Sequence, residues 1–565
     1  MSKKVLIVGG VAGGASVAAR IRRLDGQAEV IMFEKGPNVS FSNCSLPYHL
    51  SGIVENADSL VLMDPEQFRN QYDIEARVNS EVLKINREEK NVLIRNVESG
   101  EEYTESYDKL FLSPGANAIT PRSIEGITSR HVFTVRNVVD IRKLQSYLLE
   151  NKVENVAVVG GGFIGVEVAE NLKMAGRNVS LIEALDQIMA PFDYDMAQIL
   201  HKEMMDNGID LILSDGVKAI HDSEVELSSG DRVKAEAVVM AIGVSPETSL
   251  AREAGLEIGV TGAIKVDHNY LTNDPDIYAV GDAIEVFHKL TGKPTRLALA
   301  GPAQRQARAA ADHMYGIPHN SNGVIGSSVV RIFEINAAST GLNEKNLKAA
   351  GMSYDFVYVI PGDMVGLMPE SQPMHFKLIY EVPTGKIIGA QAIGKGNVDK
   401  RIDVIATMIT MGGTLEDLKE LELCYAPPFG TAKDVVNFAA LVGLNILYGR
   451  YRQVPVTRVR ALVEEGAFIV DVREPHEYSR GHLKSALNIP LSQIRDRIDE
   501  IPKDQTVYLH CRSSQRSYNA LLALQNAGYD NVVNISGSYL GISLYEYFND
   551  VKLGREKIVT AYNFR

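Results

Sequence analysis

The sequence contains two copies of one short motif, in which a strand rich in β-branched residues is followed directly by a glycine-rich turn and then by a helix. The first copy has its strand at residues 3–8 and its turn at residues 9–14, and the second has its strand at 156–159 and its turn at 160–165. In such a turn the glycines let the backbone approach a pyrophosphate, which lies at the positive end of the following helix. Two copies about 150 residues apart therefore predict an α/β chain that binds two dinucleotides.

An acidic residue closes the strand that follows each turn, where a ribose hydroxyl would be held. Glu34 follows the first turn and Glu183 follows the second. A carboxylate at Glu183 favours a free ribose 2′-hydroxyl over a 2′-phosphate, so NADH is predicted in preference to NADPH, and Arg177 weakens this inference only slightly. The first turn has Val11 at the usual middle glycine, so for that copy alone a tight turn in another α/β fold stays open.

Length and composition describe a globular protein of several domains. At 565 residues, with 45% hydrophobic and 23% charged residues, three to five compact units are expected. The formal charge of −13 argues against nucleic-acid binding. Without a secretion signal or a membrane-spanning apolar run, a cytoplasmic protein is expected. The three scattered cysteines are too few for a disulfide framework or a four-ligand zinc site, so no metal is predicted.

Three further segments complete a recognisable set: Leu-Ser-Pro-Gly-Ala at 112–116, Ala-Ile-Gly-Val at 241–244 and Asp-Ile-Tyr-Ala-Val-Gly-Asp at 276–282. With the two turns, they resemble the two-dinucleotide flavoprotein disulfide reductases. The resemblance implies FAD in the first Rossmann-like unit, NADH in the second, and Asp282 holding the FAD ribityl chain; a helix N-cap is the alternative for Asp282. The implied cofactor-binding residues are Gly9, Gly10, Ala12, Gly14, Glu34, Ser113, Gly115, Gly160, Gly162, Gly165, Glu183, Gly243 and Asp282.

A lone cysteine lies in the predicted FAD-binding unit. Residues 40–49 contain Cys44 and no second thiol, so no internal dithiol can form. The oxidised states open to Cys44 are a sulfenic acid, or a mixed disulfide or persulfide with a small molecule. The segment is typical of a loop entering a helix, whose N-terminal amides would lower the thiol pKa. A small buried apolar residue is the alternative interpretation.

The run Asn-Cys-Ser-Leu-Pro-Tyr at 43–48 resembles the active-site signature of the coenzyme A-disulfide reductase branch. In that branch the cysteine cycles through a mixed disulfide with coenzyme A. Arg20 and Arg23 lie three apart on one helix face and could bind a phosphate, although a solvated cationic edge of the helix is the alternative. The coenzyme A contacts implied by the resemblance are Ser16, Arg20, Arg23, Ser40, Asn43 and Lys433.

Residues 326–448 resemble the α+β dimerisation domain of these reductases. The resemblance implies a homodimer with active sites shared across the interface, in which Tyr425 faces the partner's redox cysteine and can donate a proton. Its neighbour Cys424 is predicted to pack in the interior. Two departures put reduction of the symmetrical coenzyme A disulfide in doubt: residues 365–370 lack the second tyrosine of the branch, and a lysine that relatives carry near Gln71 is absent.

The last segment begins a fresh α/β unit. Asp-Val-Arg-Glu at 471–474, Gly-His-Leu at 481–483 and the loop Cys511 to Ser517 resemble the signatures of a rhodanese domain. Successive loop amides with Arg512 and Arg516 would form an anion site, so Cys511 is expected as a thiolate that holds a sulfane sulfur. Ser514 replaces the usual mid-loop glycine. A purely structural role for the unit is the alternative.

These inferences combine into one hypothesis: NADH reduces FAD, FAD reduces the Cys44 centre, and that centre reduces coenzyme A persulfide, polysulfide or a mixed disulfide, while Cys511 carries sulfane sulfur, with a sulfur-acceptor protein as a further partner. An NADH oxidase or peroxidase using a Cys44 sulfenic acid, and a non-catalytic redox sensor or sulfur carrier, are the alternatives. The predicted segments are 1–120 and 256–325 (FAD), 121–255 (NAD), 326–448 (dimerisation), 449–456 (linker) and 457–565 (rhodanese-like).

Overall fold

The protein is described here by a computed structural model that covers residues 3–564. The chain divides into two compact units. The first comprises the residues up to Ala184 together with Ile212–Val324, and the second comprises Leu185–Leu211 together with the residues from Ile325 onward. The finer division into six segments stays a prediction.

The first unit contains a five-stranded parallel sheet with the first glycine turn at its carboxyl edge. Alternate residues of the central strand face opposite cores: Val5 and Ile7 pack with the helices Ala12–Leu24 and Ala300–Met314, and Leu6 packs on the other face. This is the two-faced burial that a parallel sheet requires. The strand order is Ile277–Ala279, Lys109–Leu112, Lys4–Val8, Glu29–Phe33 and Glu75–Arg77.

A second parallel sheet in the same unit places the second glycine turn in the same way. Its neighbouring strands are Asn178–Glu183, Asn155–Val159, Ala237–Met240 and Val132–Phe133. The helices of this part are Val138–Glu150 and Phe163–Met174. Two antiparallel three-stranded sheets complete the unit, namely Ser80–Asn86, Asn91–Asn96 and Glu102–Ser106, and Val217–Ile220, Glu224–Leu227 and Arg232–Lys234.

The second unit begins with an antiparallel five-stranded sheet, which matches the predicted α+β part. The strand order is Ser328–Ile332, Ile335–Gly341, Ile387–Gly394, His375–Glu381 and Tyr354–Val359. Its helices are Tyr194–Asp206, Glu344–Ala350, Val398–Met411, Leu415–Lys419 and Val435–Leu447.

One buried lysine organises three carboxylates beside this sheet. The fully buried Lys377 Nζ lies 3.1 Å from Asp193, 2.9 Å from Asp195 and 2.6 Å from Glu344. Its pKa is raised because three negative charges outweigh the cost of burial. The ammonium therefore occupies the position that a cation would take among these acids, and the cluster is an ion network.

The rest of the second unit is a parallel α/β layer that positions Cys511. Cys511 follows the central strand directly and precedes the helix Gln515–Asn526, a strand–loop–helix arrangement of the kind that forms anion sites. The strand order is Gln453–Val454, Val532–Ile535, Val507–His510, Phe468–Asp471 and Leu487–Asn488. The other helices are Val459–Glu464, Pro475–Tyr478 and Ser538–Leu553. The predicted α/β fold class is confirmed.

Among residues 3–564, no helix is both long enough and apolar enough to cross a membrane.

Candidate functional site: two dinucleotide turns and two isolated thiols

The first glycine turn brings helix and sheet closer together than any side chain would allow. Gly9 has a φ of +95°, and a Cβ there would lie 2.0 Å from the carbonyl oxygen of Ser113. A Cβ on Gly14 would lie 1.8 Å from the carbonyl oxygen of Gly9. The Glu34 carboxylate accepts hydrogen bonds from the amide of Gly10 at 3.0 Å and from that of Gly36 at 2.9 Å. The turn thus has an acidic group beside it at the end of the next strand, as a dinucleotide site requires.

The second turn repeats this geometry residue by residue. Gly160 has a φ of +112°, and a Cβ on Gly165 would lie 1.8 Å from the Gly160 carbonyl oxygen. The amide of Gly161 donates to the Glu183 carboxylate at 2.6 Å. A Cβ on Gly162 would meet no atom within 4 Å, so this glycine leaves open space at the start of the helix, where a phosphate would approach.

A cavity of 290 Å³ extends from the first turn along the carboxyl edge of the sheet. Its walls include Gly9, Phe33, Glu34 and Pro114. Ser113 and Gly115, two predicted cofactor residues, flank Pro114, and Gly115 has a φ of +73°. The lining also includes Lys35 and the carboxylates of Glu81, Glu247 and Glu253, so the cavity has both polar and apolar walls. A cavity that joins a glycine turn to the acid of the next strand fits the adenosine end of FAD, which Gly9 and Glu34 would hold.

The remaining predicted cofactor residues lie in the same unit. Asp282 is inside the short 3₁₀ turn Gly281–Ala283, which begins after Val280, so the N-cap interpretation of Asp282 is wrong. Burial raises the pKa of the Asp282 carboxyl, and the charge of Arg136 opposes this rise. Gly243 has a φ of +122° and follows the strand Ala237–Met240. Ala12 is the first residue of the helix Ala12–Leu24.

Cys44 lies in the short 3₁₀ turn Asn43–Ser45, which leads into the helix Leu46–Leu50, as the sequence predicts. The predicted lowering of its pKa is wrong. Partial desolvation, and then the charges of Glu167 and Asp282, raise the pKa of the Cys44 thiol. A helix of five residues offers little dipole to oppose two carboxylates. The side chain is solvent-exposed, so the buried apolar interpretation is also wrong.

A residue that sequence reasoning did not assign lies close to this thiol. Glu167, on the helix Phe163–Met174, accepts a hydrogen bond from the Tyr48 hydroxyl at 3.5 Å. Burial, and then the charge of Glu170, raise the pKa of the Glu167 carboxyl to about 7. A carboxyl that titrates near neutrality can hold or release a proton beside Cys44.

The predicted coenzyme A contacts of the first unit differ from one another in exposure and in hydrogen-bond partners. Arg20 makes an ion pair with Asp312 at 2.5 Å and is largely covered, whereas Arg23 is exposed and lies 5.9 Å from the ring centre of Tyr72. The two arginines therefore do not form one symmetric phosphate clamp in this structure. Ser16, Ser40 and Asn43 lie at the start of the first helix and in the loop before Cys44, within the same compact unit.

In the second unit, the predicted interface residues lie on an irregular segment between the helices Leu415–Lys419 and Val435–Leu447. Tyr425 is 48% exposed in the single chain. Cys424 is exposed too, which corrects the prediction that it packs in the interior; the segment forms no helix or strand to bury it. The neighbouring loop that lacks the second tyrosine carries Leu367, which is 86% exposed.

Lys433 borders a second cavity, of 310 Å³. Its lining also includes Ser513, Ser514 and Gln515, which belong to the loop and helix start after Cys511. The cavity thus brings the predicted coenzyme A contact of the dimerisation part next to the predicted sulfur-carrying loop, two features about 80 residues apart in the sequence.

The loop around Cys511 has the geometry of an anion site. Cys511 is buried, and its amide donates to the Ser538 hydroxyl at 3.2 Å. The Ser517 hydroxyl lies 3.7 Å from the Cys511 sulfur and can donate to it. Ser514, at the usual glycine, adopts a left-handed conformation with a φ of +76°. Its hydroxyl donates to the carbonyl of Ile535 at 3.1 Å, which holds the strained residue in place.

Arg516 is fixed beside the thiol by a residue that sequence reasoning missed. Its guanidinium contacts both carboxylate oxygens of Glu477, at 2.6 and 2.8 Å, and also bonds to Cys511. Behind the thiol, the buried Asp471 pairs with Arg473 at 2.6 Å. The signal for Glu477 was present in the run Glu474-Pro-His-Glu477, where the second acid follows a helix-starting proline.

Comparisons with known proteins match three parts of the chain to known families. Residues 3–307 match the pyridine nucleotide-disulphide oxidoreductases, residues 327–435 match the dimerisation domain of that family, and residues 456–544 match the rhodanese-like domain. The chain belongs to the pyridine nucleotide-disulphide oxidoreductases. As a member of this family it is an FAD- and NAD(P)H-dependent disulfide oxidoreductase, and its dimerisation domain indicates a homodimer.

Three proteins are similar to this oxidoreductase over most of their own length. A coenzyme A disulfide reductase of Staphylococcus epidermidis is 34% identical over 77% of this chain and 98% of its own length. The structure of reduced CoADR-RHD of Bacillus anthracis is 44% identical, covering 98% of this chain and 99% of its own, with a TM-score of 0.94. An NAD-dependent persulfide reductase from A. fulgidus is 33% identical, covering 95% and 99%, with a TM-score of 0.91.

Proposed function

We propose that this oxidoreductase uses NADH to reduce a coenzyme A persulfide or polysulfide at Cys44, and that Cys511 carries the sulfane sulfur. The lone thiol beside the first dinucleotide site carries the proposal. Cys44 is the one cysteine of the first unit, so its oxidised form is either a sulfenic acid or a mixed disulfide or persulfide with a small molecule. The similarity to the coenzyme A disulfide reductase and the persulfide reductase supports this choice of substrates.

The sulfur chemistry balances without a second protein thiol. The Cys44 thiolate attacks the coenzyme A-side sulfur of the persulfide, which forms a Cys44–S–S–coenzyme A bond and releases HS⁻. The turns at residues 9–14 and 160–165 would hold FAD and NADH, which would supply two electrons; with one proton, these electrons reduce the mixed disulfide to the Cys44 thiolate and free coenzyme A. The sum is one NADH and one persulfide converted to NAD⁺, coenzyme A and HS⁻.

The shared cavity supports the coupling to Cys511. Lys433, which by resemblance contacts coenzyme A, faces the same 310 Å³ space as Ser513, Ser514 and Gln515. A carrier thiol held by the lysine would thus lie next to the loop that receives sulfane sulfur. A sulfur-acceptor protein that collects sulfur from Cys511 is part of the proposal.

The exposed segment of the dimerisation domain supports a shared active site. Tyr425 and Phe429 are 48% and 63% exposed on the single chain, a costly arrangement for aromatic side chains unless another surface covers them. We infer that a second copy covers them and that Tyr425 donates a proton to the thiolate leaving the partner's site.

Three unpaired cysteines and the use of NADH support a cytoplasmic location.

Persulfide is favoured over the symmetrical disulfide because one proton donor is missing. Residues 365–370 offer the exposed Leu367 where the branch has a second tyrosine. A bulky coenzyme A thiolate needs a proton on leaving, whereas HS⁻ is a small and better leaving group at neutral pH.

The test is anaerobic NADH consumption with coenzyme A persulfide and coenzyme A disulfide at equal concentration, comparing wild type with Cys44→Ser. Cys424→Ser is the matched control, because it removes an exposed thiol that has no proposed role. We expect persulfide turnover with release of sulfide, lost in Cys44→Ser and kept in Cys424→Ser. A faster reaction with the disulfide would show an ordinary coenzyme A-disulfide reductase with an accessory domain.

Two other outcomes identify the remaining alternatives. Rapid Cys44-dependent turnover with oxygen or peroxide would indicate an NADH oxidase or peroxidase; the water-forming NADH oxidase of Lactobacillus brevis is 26% identical with a TM-score of 0.75. Negligible turnover with every small sulfur acceptor would indicate a redox sensor or a sulfur carrier.

A further inference from the structure

One of the two arginines beside Cys511 is already paired with an anion. Arg516 binds the Cys511 sulfur and, through both terminal nitrogens, the two oxygens of Glu477 at 2.6 and 2.8 Å. A bidentate pair of this kind is the strongest geometry available to an arginine and a carboxylate. An incoming anion therefore meets a neutralised guanidinium.

Glu477 is held in this position by its own helix. It is the third residue of the helix Pro475–Tyr478 and forms a capping box with Glu474, whose amide donates to the Glu477 carboxylate at 3.2 Å. The bond to Arg516 holds the pKa of Glu477 at about 2, so the carboxylate stays charged at any physiological pH. Its negative charge is a permanent feature of the entrance to the loop.

The other charges around the thiol leave the entrance without a net positive charge. Asp471 and Arg473 neutralise one another in a fully buried pair, and burial lowers the pKa of His510, which keeps that imidazole neutral. Arg512 and Arg516 each interact with Glu477 and with the Cys511 thiolate. Two positive and two negative charges therefore face one another before a donor arrives, so Glu477 repels a dianionic donor more strongly than a singly charged one.

We propose that Glu477 sets the donor specificity of Cys511, admitting hydropersulfides, whose reacting end carries one negative charge, and rejecting the thiosulfate dianion. This inference rests on the proposed function, in which Cys511 carries sulfane sulfur. In either case the Cys511 thiolate attacks the outer sulfur, a Cys511–S–S⁻ bond forms, and the donor leaves as a thiolate or as sulfite. The second charge of thiosulfate stays on the leaving group, close to Glu477.

The experiment measures sulfur transfer from thiosulfate and from glutathione persulfide to cyanide, as thiocyanate, with the full-length chain and with enzyme-free blanks. The decisive variant is Glu477→Gln, which keeps the shape and removes the charge. Glu477→Asp keeps the charge. Glu465→Gln is the matched control, because Glu465 is an exposed carboxylate in the same domain at the end of the helix Val459–Glu464.

We expect Glu477→Gln to raise kcat/KM for thiosulfate by about tenfold while the value for the persulfide changes by less than about threefold. Glu477→Asp and Glu465→Gln should keep the wild-type ratio between the donors. An unchanged ratio in Glu477→Gln, or an equal fall with both donors, would overturn the inference and leave Glu477 as a support of the loop. Wild-type transfer in Cys511→Ser would instead refute the proposed sulfur-carrying role of Cys511.

Discussion

Replacing Gly165 by alanine should damage NADH use and leave the flavin in place. A Cβ at this position would lie 1.8 Å from the carbonyl oxygen of Gly160, whereas real Cβ atoms stay at least 3.0 Å from other heavy atoms. The helix start must therefore move by about 1.2 Å. A displacement of about 1 Å at a binding group costs roughly a hundredfold in rate, which corresponds to about 2.7 kcal/mol of transition-state stabilisation. We expect kcat/KM for NADH to fall by that factor.

The equivalent change in the first turn should affect flavin binding and not the use of NADH. A Cβ on Gly14 would lie 1.8 Å from the Gly9 carbonyl oxygen, so Gly14→Ala should lose bound flavin instead of NADH affinity. Flavin absorbance of the purified protein and anaerobic reduction at increasing NADH concentration separate the two losses. Gly26→Ala is the control, because a Cβ there meets no atom within 4 Å.

The reasoning fails if Gly165→Ala retains kcat/KM for NADH within about threefold of wild type, since the close approach would then be unimportant. Loss of flavin in Gly165→Ala with retention in Gly14→Ala would show that the two cofactors are assigned to the wrong turns.

Two further changes test the thiol environments. Glu167 has a pKa of about 7, so it becomes charged as the pH rises through neutrality, and its charge raises the pKa of the Cys44 thiol. Glu167→Gln should therefore accelerate the alkylation of Cys44 by iodoacetamide, most clearly above pH 7. An unchanged dependence of the alkylation rate on pH would contradict this. Ser514→Ala keeps the strained left-handed backbone and loses the hydrogen bond to the Ile535 carbonyl, which should lower the local free energy of unfolding by about 1–2 kcal/mol. Ser514→Gly relieves the backbone strain, so it should be more stable than Ser514→Ala by roughly 1 kcal/mol. Hydrogen exchange of the helix Gln515–Asn526 measures both, and equal protection in the two variants would refute the strain argument.

The dinucleotide sites could be predicted from the sequence because their chemistry is local. A strand, a glycine turn and a helix are consecutive, and the acids at Glu34 and Glu183 close the very next strand. Parallel strands end at the same edge of a sheet, so the topology alone brings each acid to its turn. The structure adds only distances to this arrangement.

The thiol environments could not be predicted, because they depend on contacts between distant segments. Tyr48 and Glu167 are 119 residues apart, and Glu477 and Arg516 are 39 residues apart. Local reasoning assigned Cys44 a lowered pKa from its helix and could not include carboxylates contributed by other strands and helices. The same reasoning counted Arg516 as a cation without this anion, because its partner Glu477 lies on another helix.

The two cysteines differ in the charges that surround them, and this difference suggests a direction for sulfur flow. Cys511 lies beside Arg512, Arg516 and Glu477, so both cations and an anion surround it. Cys44 lies beside two carboxylates, Glu167 and Asp282, which disfavour a further negative charge nearby. On the proposed function, we therefore expect a persulfide anion to be better tolerated at Cys511 than at Cys44, whereas a neutral mixed disulfide is tolerated at Cys44. Sulfane sulfur should then accumulate on Cys511 and leave as sulfide only after it reaches the reduced Cys44 centre.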